Sequence, residues 1–167
     1  MEVDKRGRQM VDAKTGFQKA AERGDAYVWT IESYAFSASD TLLAIRNNGT
    51  KVLHIEKVFV QTSHASAEIE IHRVTAAYTN AGTAVTGTNL LPGGAAADVD
   101  ATADETGNTQ GTVIERRIAR EYALVEVDFK GAVTLNTGQA IGVDTTLGDD
   151  VCYVSIWGYF EDASELE

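Results

Sequence analysis

Residues 151–160 read Val-Cys-Tyr-Val-Ser-Ile-Trp-Gly-Tyr-Phe, and in an extended chain successive side chains point to opposite faces. One face is then Cys152, Val154, Ile156, Gly158 and Phe160, and the other is Val151, Tyr153, Ser155, Trp157 and Tyr159. Both are largely apolar or aromatic, so the segment is expected to be a strand that packs on two sides. The face of Tyr153, Trp157 and Tyr159 is costly to leave in water. Aromatic rings with polar tips are favoured at interfaces, so either another part of this chain or another subunit is expected to cover it.

The same period of two extends through much of the chain. Tyr27, Trp29 and Ile31 oppose Val28, Thr30 and Glu32; Ala67, Ile69 and Ile71 alternate with Glu68, Glu70 and His72, the pattern of a half-exposed strand. Ala123, Val125, Val127 and Phe129 oppose Tyr122, Leu124, Glu126 and Asp128, while Gly138 introduces Ile141 and Val143, with Gly148 and Asp149 making the next turn. Leu42, Leu43, Ala44 and Ile45 run into Asn47-Asn48-Gly49, followed by Val52, Leu53, Ile55, Val58, Phe59 and Val60. Asn-Gly between apolar blocks predicts a β-hairpin with a type I′ turn, since both residues tolerate positive φ. Asn48-Gly49-Thr50 is also formally a glycosylation sequon, but the turn accounts for it.

Seven or eight such short strands with little helix predict an all-β domain, a two-sheet β-sandwich that is jelly-roll-like, with an N-terminal arm. A length of 167 residues suits one domain. Residues 1–24 read as the arm, extended or with one short helix, because Met10, Val11, Phe17, Ala20 and Ala21 have roughly helical spacing interrupted by Gly7, Gly16 and Gly24. Residues 25–162 form the body and 163–167 an acidic tail. Within the body, residues 92–111 (PGGAAADVDATADETGNTQG) contain Val99 as their one large apolar residue and are expected to be a long loop outside the core.

A net charge of −11 argues against a nucleic-acid partner, because an acidic surface repels phosphates. The charge is uneven: Lys5, Arg6, Arg8, Lys14, Lys19 and Arg23 face only four acidic residues before residue 24, so residues 1–23 carry +2 and the rest −13. Two readings stand: an arm that docks on an acidic neighbour, or a mixed-charge tail. The start, Met-Glu-Val-Asp-Lys-Arg, lacks the apolar core of a signal peptide, and no run approaches the roughly 18 apolar residues of a membrane span. Synthesis in a cytoplasm without a membrane partner is the expectation.

No catalytic residue, cofactor or metal is assigned. Cys152 shares its face with Val154, Ile156 and Phe160 and reads as a buried, inert thiol. His54 with Glu56, and Glu70 with His72, have the i, i+2 spacing of strand neighbours, which solvated strand faces explain without a metal. Asp98, Asp100, Asp104 and Glu105 raise the question of calcium, but an EF-hand loop begun at Asp98 needs Gly and Glu where Ala103 and Thr109 stand.

The run SDTLLAIRNNGTKVLHIEKVFV, then AGTAVTGTNLL, ADETGNTQGTVI, and a Gly-Gln-x-Ile-Gly-Val-Asp segment leading to VSIWGYFED resemble a family of small structural proteins of tailed bacteriophages, over about Asp25 to Asp162. The resemblance implies a β-sandwich virion component, a capsid decoration or cement protein whose partners are capsid or other virion proteins and copies of itself, a trimer among the symmetric options. Tyr153, Trp157 and Tyr159 are then the expected interface, and the basic arm the expected docking segment. A different class of reading is a receptor- or carbohydrate-binding module of a tail or fibre, with Trp29, Trp157 and the tyrosines stacking on sugars.

Overall fold

The computed structural model describes residues 14–32, 41–76, 78, 82–106, 108–146 and 151–162. Along the chain run α1 (Gly16–Arg23), β1 (Ala26–Glu32), β2 (Thr41–Asn47), β3 (Val52–Thr62), β4 (Glu68–Ala76), β5 (Thr83–Ala84), β6 (Thr88–Asn89), β7 (Val99–Glu105), β8 (Thr109–Ile118), β9 (Val125–Leu135), β10 (Ala140–Thr145) and β11 (Cys152–Glu161). Two sheets of order β6-β1-β11-β3-β9 and β5-β7-β2-β10-β4-β8 pack face to face as an all-β sandwich.

Without the strands β5, β6 and β7, the sheets are β1-β11-β3-β9 and β2-β10-β4-β8. The first strand pairs with the last, the second with the next to last, and so inward to β4 with β8, all antiparallel. A long two-stranded ribbon rolled on itself gives this order, which is the jelly roll. β11 lies at the centre of its sheet because it closes the ribbon against β1 while the roll brings it beside β3.

The rolled ribbon overturns the expected hairpin at Asn48-Gly49. β2 and β3 belong to opposite sheets, so their connection is an arch across the sandwich. Neither Asn48 nor Gly49 takes positive φ, and both backbone N–H groups donate to the Asp98 carbonyl, at 3.1 and 3.2 Å. Asn47 holds the arch from inside: its buried Nδ2 donates to the carbonyls of Lys51 and Leu135, each at 2.8 Å, and its Oδ1 accepts from Gly49 N at 3.0 Å. Asn and Gly are turn formers in either setting; what decides between them is where the flanking strands find partners.

The expected long loop at 92–111 is also corrected. Residues 99–105 form β7, paired along β2 from Thr41↔Glu105 to Asn47↔Val99, and residues 109–111 already belong to β8. Ala101 and Thr102 are buried, and Ala97, Val99 and Ala103 pack on the core. Small side chains sufficed because β2 offers a complete row of backbone partners. The eleven strands among the described residues exceed the seven or eight expected.

The core lies between the sheets. Trp29, Leu43, Ile45, Leu53, Ile55, Ile69, Ile71, Ile141 and Ile156 are all essentially inaccessible, as is Cys152, on the inward face its parity assigned. The arm contributes the eight-residue α1, opened by a capping box between Thr15 and Gln18 and closed by Gly24 in the left-handed region at φ +80°. Lys5, Arg6, Arg8, the turn at Gly148-Asp149 and the tail 163–167 lie outside the described residues.

Candidate interaction surface

The outward face of β11 carries Tyr153, Ser155, Trp157 and Tyr159, and the structure shows which of them this chain covers. Phe17 of α1 lies 6.0 Å from the rings of both Trp157 and Tyr159, and Phe59 meets Trp157 from β3 at 5.8 Å. Tyr159 is buried and Trp157 half-buried. Gly16 and Gly131 flank the Tyr159 hydroxyl so closely that a Cβ at either would sit 2.9 or 2.5 Å from Oη. Burial first, then the charges of Glu161 and Glu56, raise the Tyr159 pKa. Of the three residues expected at an interface, only Tyr153 is free of this intrachain cover, at 41% exposure.

Tyr153 has apolar company instead at the end of the sandwich where β3 finishes. Tyr153 is register partner to Gln61, whose Nε2 donates to the Tyr122 carbonyl at 2.6 Å. Tyr122 N donates to the Thr62 carbonyl at 2.8 Å, and Ser63 N to the Val151 carbonyl at 2.9 Å. The end of β3 thereby holds together Tyr122, Leu124, Val151 and Tyr153, exposed by 61, 62, 40 and 41%. Such exposure is unremarkable for one side chain, but four large exposed ones on segments bonded to the same strand end are of the kind that marks interaction sites. Ile118, 63% exposed, ends the neighbouring strand β8. The alternation read from Glu121 onward set Tyr122 and Leu124 opposite Ala123 and Val125; in the structure β9 begins only at Val125, and Tyr122 lies in a turn at φ +53°.

The expected basic docking segment is engaged within the chain where it is described. Lys14 bonds Glu22 at 2.7 Å, and Arg23 lies 3.7 Å from Asp25, which also holds Lys51 at 3.0 Å. Lys19 is exposed on α1.

The histidines depart from the solvated strand faces expected of them. His54 is buried beneath α1's end of the sheet, stacked on Tyr159 at 4.8 Å, with Nδ1 on the Gly131 carbonyl at 3.0 Å and Nε2 3.3 Å from Glu161. His72 is fully buried, its Nε2 3.1 Å from Oδ2 of Asp144, which Gln110 of β8 also bonds. Burial acts against the charged imidazole, but the hydrogen bond and charge of Asp144, with smaller help from the Arg73 carbonyl and Glu70, outweigh it and raise the pKa above 6.5. His72 keeps its register against β10, opposite Gly142, on the strand face that alternation assigned to it, but that face is closed there and the ring is fully buried beside Asp144. The enclosed imidazole and carboxylate tie β4 to β10.

At the opposite end of the sandwich, Asp25, Tyr27, Thr50, Lys51, Asp98 and Phe160 line a cleft of about 270 Å³. Trp29 is wholly buried, which removes it from the residues expected to stack on sugars. Among the described residues no three His, Cys, Asp or Glu side chains converge as metal ligands would, and no helix is long and apolar enough to cross a membrane. Neither protein-family models nor curated proteins match this sequence.

Proposed function

We propose that the chain is a structural component of a bacteriophage particle, a capsid decoration or cement protein that acts by self-association and by contacts with the shell. The observation that carries the self-association is the exposure of Tyr122, Leu124, Val151 and Tyr153 around the end of β3, at one end of the sandwich. Tyrosines combine large apolar area with few rotatable bonds, so a patch built on them loses little entropy when covered. The phage assignment leans on the sequence resemblance. The jelly roll agrees with it by analogy alone, since viral capsid, lectin and cupin domains share that architecture.

Repeated shallow contacts suit such a role: on a symmetric shell, many weak attachments act together through their high effective concentration. The experiment is sedimentation of the purified full chain, with co-sedimentation on phage shells lacking it. Oligomers that bind shells, both lost when Leu124 and Tyr153 become Ser, are expected; a monomer that ignores shells overturns the proposal.

The cleft favours a second reading, a carbohydrate-binding module. Tyr27 and Phe160 supply apolar walls, and Asp25, Asp98 and Lys51 supply the hydrogen-bonding groups that orient a polar ligand. Glycan-array binding abolished by Asp98→Ala, with oligomeric state unchanged, distinguishes this reading from the first.

A further inference from the structure

We infer that α1 is a clasp: it comes away from the sandwich and unwinds, hinged at Gly24, while the jelly roll beneath stays folded. The inference rests on how α1 is held and is independent of the proposed function. Helix α1 has eight residues, of which only Ala20 is fully buried. With Phe17, Ala21, Ala26 and Tyr159 it forms a small cluster of its own, separate from the core between the sheets. A helix this short cannot sustain itself in water, because the cost of nucleating the first turn is recovered over too few hydrogen bonds. Its persistence therefore depends on Phe17 and Ala20 remaining docked.

The two ends of α1 are held differently. At the C-terminal end Asp25 N donates to the Ala20 carbonyl at 2.8 Å, and Asn89 Nδ2 donates to the Gly24 carbonyl, also at 2.8 Å. At the N-terminal end Gly16 lies against the Tyr159 ring without a side chain of its own, and Phe17 packs on the rings of Trp157 and Tyr159. The anchored end and the left-handed Gly24 make the pivot; the other end depends on the Phe17 contacts. Lifting α1 uncovers Tyr159 and the shielded side of Trp157, on the strand face that already presents Tyr153. The open form thus extends the exposed aromatic strip along β11.

The test is hydrogen exchange of the full wild-type chain across a urea series below the unfolding transition. Backbone amides of Lys19–Arg23 are expected to exchange about 100-fold faster than those of Val154–Phe160, with little urea dependence, as local opening requires. Phe17→Ala is expected to speed α1 exchange by about a further tenfold, the loss of one aromatic anchor, and to leave β11 unchanged. Equal protection with the same urea slope in both segments, or a parallel loss in both on Phe17→Ala, overturns the inference. An independent reading comes from Trp29→Phe, in which Trp157 is the remaining indole. Its emission is expected to change at lower urea than the sheet signal in circular dichroism, and coincident transitions count against the clasp.

Discussion

His72 and Asp144 face each other 3.1 Å apart on neighbouring strands with essentially no access to water, so the outer face of the six-stranded sheet closes over an imidazole–carboxylate pair. Gly142, register partner of His72, leaves the space the ring occupies: a Cβ there would lie 2.8 Å from His72 Cε1. The pair is a structural tie whose strength depends on pH.

The direction of that dependence follows from linkage. The His72 pKa is raised in the folded chain, so the native state binds the proton more tightly than the unfolded one. Its contribution is fully present below the ordinary value of 6.5 and is lost as pH rises through the folded value. The stability advantage of the wild type over His72→Gln, from urea melts, is expected to be larger near about pH 5.5 than near about pH 8.5. An advantage that grows with pH contradicts the assignment.

Removing the carboxylate is more severe than removing the ring. Asp144→Asn leaves a buried imidazole without its counter-charge and is expected to cost about 3 kcal/mol or more, the range for breaking a buried pair by deleting one member. A loss below about 1 kcal/mol would mean that the site relaxes and admits water.

The arch makes its own prediction. Asn47→Ala deletes two buried hydrogen bonds and a part-buried one at once and strands the carbonyls of Lys51 and Leu135. A loss of about 3 kcal/mol in chemical denaturation is expected, with the hairpin alternative unable to compensate because β3 is already paired on both sides. Asn47→Asp should be no better, since a carboxylate would replace the amide donor facing those carbonyls.

Gly131 combines two constraints that a double-mutant cycle separates. It sits at φ +75°, and an added Cβ would meet the Tyr159 hydroxyl at 2.5 Å. Gly131→Ala is expected to destabilise by about 2 kcal/mol, part from the left-handed backbone and part from the clash. In a Tyr159→Phe background, which removes the oxygen, the same substitution should cost less by about 1 kcal/mol. Strict additivity would place the whole cost in the backbone.

For the exposed patch, Leu124→Ser with Tyr153→Ser is expected to shift thermal unfolding little, because both side chains are more than a third exposed and surface substitutions usually stay within about 0.5 kcal/mol. Scanning calorimetry checks the stability, and sedimentation of the same variant checks self-association.

Alternation by itself determined most of the strands and their inward residues. Trp29, Val154, Ile156 and Cys152 face the core as their parity requires, because an extended backbone gives each side chain only two directions, and a strand between water and oil has one solution. Parity also set Val151 and Tyr153 on the face opposite Cys152, which the structure leaves exposed at that end of β11. Pairing was not legible. That Asn48-Gly49 crosses between sheets, that residues 99–105 form a strand with hardly a large apolar side chain, and that Gln61, register partner of Tyr153, bonds the Tyr122 carbonyl all depend on contacts between residues distant in the chain. Local pattern likewise placed His72 on the face of Glu70, but only the tertiary structure shows that face closed at His72, with the ring buried against Asp144. Local sequence sets which way a side chain points; the backbone hydrogen bonds that remain after rolling the ribbon decide what it points at.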